Sequence, residues 1–387
     1  MEVIFENLGN LTVQQVVMWV IGGILIYLAI KKDMEPTLLL PIGFGTILVN
    51  LPFSGAVNQV IEGVTEFGPI DTLFNAGIAN ELFPLLLFIG IGAMIDFGPL
   101  LTNPKLLLFG AAAQFGIFFT LMVASLFGFN IQDAASISII GAADGPTSIF
   151  VANYFNSQYI GAIIVAAYSY MALVPIIQPP VIKLVTTKKE RQIKMPYNQK
   201  SISRTTRILF PICVTIVAGL IAPRSVALVG FLMFGNLIRE CGVLGSLSQS
   251  AQKCGVLNML SETAQKVLAN LITLLLGLTV ATKMQADLFL TKETIMILCL
   301  GLVAFIFDTV GGVLFAKVLN LFSKKKINPM IGAAGISAFP MSSRVVHKMG
   351  LAEDPHNFLL MHAAGANVAG QIASVIAGGL IIGLVAR

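Results

Sequence analysis

Charge is what this sequence has least of. Only 11% of its 387 residues are Asp, Glu, Lys or Arg, while 56% are hydrophobic; soluble domains carry about 25% charged residues. A water-soluble globule is therefore excluded, and a chain that crosses a bilayer many times remains. Histidine occurs three times, and the four cysteines, Cys213, Cys241, Cys254 and Cys299, have no paired spacing. That pattern excludes a disulfide framework and a Cys/His metal centre. A basic leader is missing too: Glu2 and Glu6 stand where a secretory signal carries positive charge, so the first apolar run reads as a retained helix. No nucleic-acid motif is present. The pI near 9.0 reflects basic loops that orient a membrane protein.

What is abundant is apolar runs. With a span of about 20 residues as template, they fall near 15–30, 38–53, 82–101, 105–128, 134–154, 158–182, 207–222, 225–238, 267–282, 294–320, 329–343 and 359–386. The expected fold is an all-α membrane protein, a polytopic helical bundle. Lys31 and Lys32 put the first loop inside, whereas the stretch with Glu62, Glu66, Asp71 and Glu81 has no basic residue and fits outside, as does the N-terminus. Between Leu184 and Arg207, Lys188, Lys189, Arg191, Lys194, Lys200, Arg204 and Arg207 outnumber Glu190, so this loop is expected in the cytoplasm. Counting crossings permits that only if segment 134–154 is broken or re-entrant. Lys324, Lys325 and Lys326 put 323–327 inside as well, so the second half starts in the opposite sense and the C-terminus falls outside.

Opposed halves predict two inverted repeats. The N-terminal half, 1–183, holds a broken element at 134–154; the basic loop is 184–206; the C-terminal half, 207–387, holds a broken element at 328–345. Gly141-Ala142-Ala143 answers Gly332-Ala333-Ala334, and a proline follows each, Pro146 and Pro340. The two broken elements are expected to meet.

The first reads IIGAADGPTSIF over 139–150. An Asp at the centre of a bilayer costs about 2.5–3.5 kcal/mol on insertion scales, so such acids face wet cavities and mark ion paths. Pro146 and the glycines favour a helix break that leaves carbonyls free beside Asp144, and carbonyls with a carboxylate are hard ligands for a hard cation. The second, NPMIGAAGISAFPMSSR over 328–344, offers Asn328, Ser337, Ser342, Ser343 and a cation, Arg344. A small-residue packing face is its other reading. Tyr168, Ser169 and Tyr170 lie inside a helix, as proton-moving phenols or as interface anchors. Asn367 and Gln371 share a helical face and can complete an oxygen shell or bond a neighbouring helix. Asp308 is a second intramembrane acid, expected to face Arg344 or a polar cavity.

With these motifs in order, the chain resembles the β subunits of sodium-pumping, biotin-dependent decarboxylases, a group acting on oxaloacetate, methylmalonyl-CoA, glutaconyl-CoA and malonate. EPTLLLPIGFG (35–45), GAMIDFGPLLTNP (92–104), FGAAAQFGIF (109–118), GAADGPTSIF (141–150), AAYSYMALVPIIQPP (166–180), KINPMIGAAGISAFPMSSRV (326–345) and NFLLMHAAGANVAG (357–370) carry the resemblance. Ala142 stands where the family commonly has Gly, and 54–80 is shorter than in some members.

The resemblance implies sodium binding at Asp144, with Asn328, Gly332, Ser337 and Asn367 as further members of the sodium sites. It implies a coupling and proton-delivery role for Tyr170. Arg344 is implied in handling carboxybiotin, with Ser342 and Ser343 as its polar neighbours. The implied activity is decarboxylation of carboxybiotin, consuming a proton and driving Na+ outward across the cell (inner) membrane. Implied partners are a carboxyltransferase α subunit, a biotin carrier protein or domain, a small γ or δ membrane subunit and further copies of this chain. A secondary sodium-coupled carboxylate transporter is the competing class.

Overall fold

A computed structural model describes residues 9–386 apart from 33, 62, 197–201 and 246–250. Glu2, Glu6, Glu62 and Lys200, which bear on orientation, lie outside the described residues. The structure is helical apart from one hairpin, β1 (Gln59–Ile61) antiparallel to β2 (Val64–Glu66).

In the first half, α1 (Val13–Lys32) packs along α2 (Pro36–Val49), and α3 (Pro69–Gly77) meets α4 (Leu82–Met94) at 65°. Short α5 (Gly98–Thr102) and α6 (Leu107–Ala113) lead into α7 (Phe115–Leu126), followed by α8 (Ile131–Ser138), α9 (Gly145–Tyr154) and α10 (Ile160–Val185). One turn, α11 (Lys188–Arg191), lies in the basic loop. The second half runs through α12 (Arg204–Ile221), α13 (Val226–Gly245), α14 (Ala251–Glu262), α15 (Ala269–Val280), α16 (Ala286–Phe289), α17 (Lys292–Phe322), α18 (Met330–Ala333), α19 (Met341–Glu353) and α20 (Leu360–Val385).

Among the described residues seven helices are long and apolar enough to cross a membrane, and the bent α3–α4 pair adds an eighth. This is a multi-pass membrane protein. Two boundaries differ from the hydropathy reading. The run expected to start at 267 belongs to an apolar helix over Val256–Met284, because Gln265 and Lys266 dilute its hydropathy without ending it; a π-turn at Thr263–Leu268 absorbs them. Helix α3 was not expected, since Asp71 lowers its apolarity, yet Pro69 at its first turn and that same Asp71 are helix-start residues.

The two interruptions are built differently. After a 3-10 turn at Ile139–Ala142, Ala143 takes a left-handed φ of 51° and Asp144 is extended, so Asp144 caps α9 from its own break. Pro146 then sits in the first helical turn, where a missing N–H costs nothing. In the second half α18 stops at Ala333, and irregular chain runs to Pro340 before α19 begins. The interruptions touch: Ser337 N donates to Ala142 O at 3.1 Å. Packing around them is reciprocal, with α20 against α9 and α10 against α19. The largest core cluster contains both breaks, through Ala142, Ala143, Ala333, Ala334 and Ile336. Apolar side chains also face outward, as on α12 at Ile216 and Leu220, which suits lipid.

Candidate functional site

Asp144 is 3% exposed. Its Oδ2 accepts from Thr147 Oγ1 at 2.8 Å and from Ser374 Oγ at 2.9 Å, its Oδ1 lies 3.5 Å from Thr147 N, and the Ser337 hydroxyl is in hydrogen-bonding reach. Three hydroxyls, from α9, from α20 and from the irregular chain before α19, therefore converge on one carboxylate. Ser374 bridges the breaks, lying 3.0 Å from Ser337 Oγ as well. Gln371 Nε2 donates to the Ser337 carbonyl and, at 3.1 Å, to its hydroxyl, while Gln371 Oε1 is buried with no partner. Asn367 Nδ2 donates to Ile336 O at 2.6 Å and leaves Oδ1 buried and unpartnered. A cavity of about 240 Å³ opens onto this group, lined by Asp144, Ser337, Gln371, Tyr168 and Glu35. The Tyr168 ring lies against Gly145, and its hydroxyl is buried without a hydrogen-bond partner.

Of the expected site residues, then, Asp144, Ser337 and Asn367 gather around the touching breaks. The others lie apart. Asn328 Nδ2 grips the carbonyls of Arg191 (2.8 Å) and Ile193 (2.9 Å), and its Oδ1 accepts from Met330 N at 3.1 Å, so Asn328 clasps the basic loop. Gly332 is where α18 meets α17, in contact with the Gly312 carbonyl so closely that no side chain fits. Tyr170 faces α17, its hydroxyl donating to Leu298 O. Ser342 Oγ and Gln178 Nε2 both donate to Ala333 O, at 3.2 and 2.7 Å, and Ser343 Oγ donates to Pro340 O at 2.8 Å. These serines point inward and brace the second break.

Arg344 points the other way. It lines a second cavity of about 610 Å³ together with Lys32, Lys348, Met34, Pro175 and Pro179. Among the described residues three cations and no acid line this space, which therefore favours an anion. The basic loop is tied beside it, through Arg191 to Glu353 at 2.6 Å and Lys194 to Asp354 at 2.8 Å. The Lys194 ammonium holds the Asp354 carboxyl below the usual carboxylate range. Burial pushes the Glu190 carboxyl up, but hydrogen bonds from Thr187 and Lys317 outweigh it and leave the group low. Asp308 meets neither Arg344 nor the Asp144 cavity, contrary to expectation: its Oδ1 accepts at 3.2 Å from Ile117 N in the first turn of α7, an amide that it shares with Gln114 O.

The family model for the Na+-transporting oxaloacetate decarboxylase beta subunit matches residues 14–385. The chain belongs to this β-subunit family of sodium-translocating, biotin-dependent decarboxylases. It is 49% identical over 369 residues to the glutaconyl-CoA decarboxylase subunit beta of Acidaminococcus fermentans, covering 95% of this chain and 92% of that one. Identity is 47% over 393 residues to the methylmalonyl-CoA decarboxylase subunit beta of Propionigenium modestum, covering 97% and 96%. It is 41% over 436 residues to the oxaloacetate decarboxylase beta chain of Haemophilus ducreyi, covering 98% and 97%. The protein is the sodium-transporting membrane subunit of a multi-subunit decarboxylase.

For such a β subunit the donors around Asp144 have the right chemistry. One negative charge, hydroxyls and unpartnered amide oxygens are hard, weakly charged ligands suited to an alkali ion. A trio of His, Cys, Asp or Glu able to hold a transition metal is absent among the described residues. The sequence reading did not single out Thr147, Ser374 or Glu35. Ser374 was within reach of pattern, since Asn367, Gln371 and Ser374 stand at i, i+4 and i+7 on one face of α20. Thr147 was signalled by its place three residues after a capping Asp.

Proposed function

We propose that this β subunit binds Na+ at Asp144 with oxygens from Thr147, Ser337 and Ser374, and that carboxybiotin, carried by a partner, docks in the Arg344 cavity. The observation that carries this reading is the buried Asp144 carboxylate at a helix break, ringed by hydroxyls and open to a cavity. Gln371 and Asn367 supply unpartnered amide oxygens on the same side. Arg344, with Lys32 and Lys348, supplies the fork and the positive field that a carboxylated cofactor needs. Decarboxylation at that cavity takes up a proton and drives Na+ outward. Tyr170 serves coupling from the α10–α17 contact by holding the Leu298 carbonyl, while Asn328 and Gly332 serve it by fixing the second broken element to the loop and to α17.

The two halves act as inverted repeats. Support for this comes from paired interruptions that touch and from the reciprocal packing of α10 and α20. In this reading the 184–206 loop and the Arg344 cavity face the cytoplasm, both termini face outward, and the carboxyltransferase α subunit, biotin carrier and small γ or δ subunit assemble on several copies of this chain. Membership in a decarboxylase family favours this pump over a free-standing carboxylate symporter. The test is Asp144→Asn in the assembled complex. Loss of Na+-dependent decarboxylation and of radioactive sodium uptake into vesicles is expected; sodium pumping near the wild-type rate overturns the ligand assignment.

A further inference from the structure

Glu35 is the charged residue lining the Asp144 cavity that the reading above leaves unused. It precedes α2, in a left-handed conformation with φ 38° and ψ 61°, and its side chain does not cap that helix. A non-glycine residue held there stores backbone strain, and such strain concentrates at functional sites. The Glu35 side chain lines the Asp144 cavity, yet it makes no hydrogen bond or ion pair among the described residues. Its nearest compensation is Arg344, acting through space. Burial lifts the Glu35 carboxyl above the ordinary carboxylate range, and the Arg344 guanidinium pulls it part of the way back. Pro340 lines the first cavity and Met341 the second, so one short stretch of chain separates the two spaces, with Glu35 lining one and Arg344 the other.

We infer that Glu35 is a second, outer cation-binding carboxylate of the Asp144 cavity, and that Arg344 controls it. This rests on the sodium and carboxybiotin assignments above. A guanidinium beside a carboxylate weakens that carboxylate's hold on a cation. An anionic carboxylated cofactor seated on Arg344 cancels the positive field, and Glu35 is then free to take Na+ and pass it inward to Asp144. Linkage makes the effect mutual: a cation on Glu35 strengthens the anion's hold on Arg344 by the same factor. The decarboxylation substrate and the transported ion therefore promote each other's binding through one carboxylate–guanidinium pair.

The experiment measures Na+ activation of decarboxylation by the assembled complex at low and at saturating biotinylated carrier. In the wild type the half-activating Na+ concentration falls several-fold as carrier rises; independence of carrier overturns the inference without any variant. Glu35→Gln raises half-activating Na+ roughly tenfold, within the usual range of such couplings, and abolishes its dependence on carrier. Saturating Na+ overcomes the defect, and Glu35→Asp restores part of the affinity. Wild-type Na+ activation in Glu35→Gln, or a rate loss that no Na+ concentration relieves, overturns the role. Asp144→Asn, run in parallel, separates the two claims: a dead Asp144→Asn beside an unshifted Glu35→Gln refutes only the outer carboxylate, whereas an active Asp144→Asn refutes the inner site.

Discussion

Asp144 and Asp308 are both acids enclosed in an apolar bundle, and they differ in what holds them. Asp144 sits where the backbone has left the helix, among hydroxyls that can rotate, beside a cavity of about 240 Å³. Asp308 lies in the middle of α17, where its Oδ1 takes the Ile117 amide and its Oδ2 has no partner. Glycines press it from both sides: a Cβ at Gly116 would lie 2.5 Å from Oδ1, and one at Gly141 would lie 2.7 Å from Oδ2. Fixed backbone donors without free volume make a structural cap for α7. Exchangeable hydroxyl donors with free volume suit the ion site proposed at Asp144. Burial alone does not distinguish the two roles.

The largest expected effect separates them directly. Asp144→Asn should lower Na+-dependent decarboxylation on the order of 100-fold, the loss from removing a charged partner worth about 3 kcal/mol. Asp308→Asn keeps an acceptor for Ile117 N and should change the rate by less than about threefold. Equal losses in the two variants would break the comparison. Next in size is Gly141→Ala, which drives a methyl into Asp308 Oδ2. Overpacking of this kind costs about 1–3 kcal/mol and should lower the thermal midpoint in detergent. Adding Asp308→Ala to the same chain should recover part of that loss, and no recovery would mean the clash lies elsewhere.

Smaller again is Ser374→Ala, which removes the hydroxyl shared by both breaks. Half-activating Na+ should rise about five- to tenfold, the value of one hydrogen bond or ligand. Thr309→Val, beside Asp308 and buried without a partner, should leave Na+ activation as it was. The smallest effect belongs to two half-buried acids at the basic loop. Asp354 and Glu190 are held low in the folded protein by Lys194 and by Thr187 with Lys317. A depressed carboxyl adds stability above its unfolded pKa, about 4, and loses it as pH falls through the folded value. Hydrogen-exchange protection of 188–195 should therefore exceed that of Lys194→Ala at neutral pH, and the difference should vanish well below pH of about 4.

Much of this was legible in the sequence. The intramembrane Asp144, with Gly145 and Pro146 after it, foretold a helix break, and Pro340 foretold another. Ser337 and Asn367 were named from their oxygens and do lie at the meeting of the breaks. Three-dimensional neighbours were not legible. Tyr168 and Tyr170 are two residues apart on one helix, and only packing tells which phenol lines the cavity. Asn328 was named for its amide oxygen, and only the fold shows that its amide nitrogen clasps Arg191 and Ile193, 137 and 135 positions away. Glu35 was hidden at the head of an apolar run close to two lysines, where an acid reads as a loop residue. Asp308 was visible as an acid, but the helix break at Gln114, beside its amide partner Ile117, follows from no single residue.

The ring of alcohol groups around Asp144 has a kinetic consequence. Thr147, Ser337 and Ser374 can each turn a hydrogen toward the carboxylate or a lone pair toward a cation by spinning about a single C–O bond. Such torsions take picoseconds to nanoseconds, whereas helix movements take microseconds or longer. The proposed inner coordination sphere can therefore reverse its polarity without waiting for the scaffold, which would leave the pace of turnover to ion dehydration and to the slower motion of whole helices.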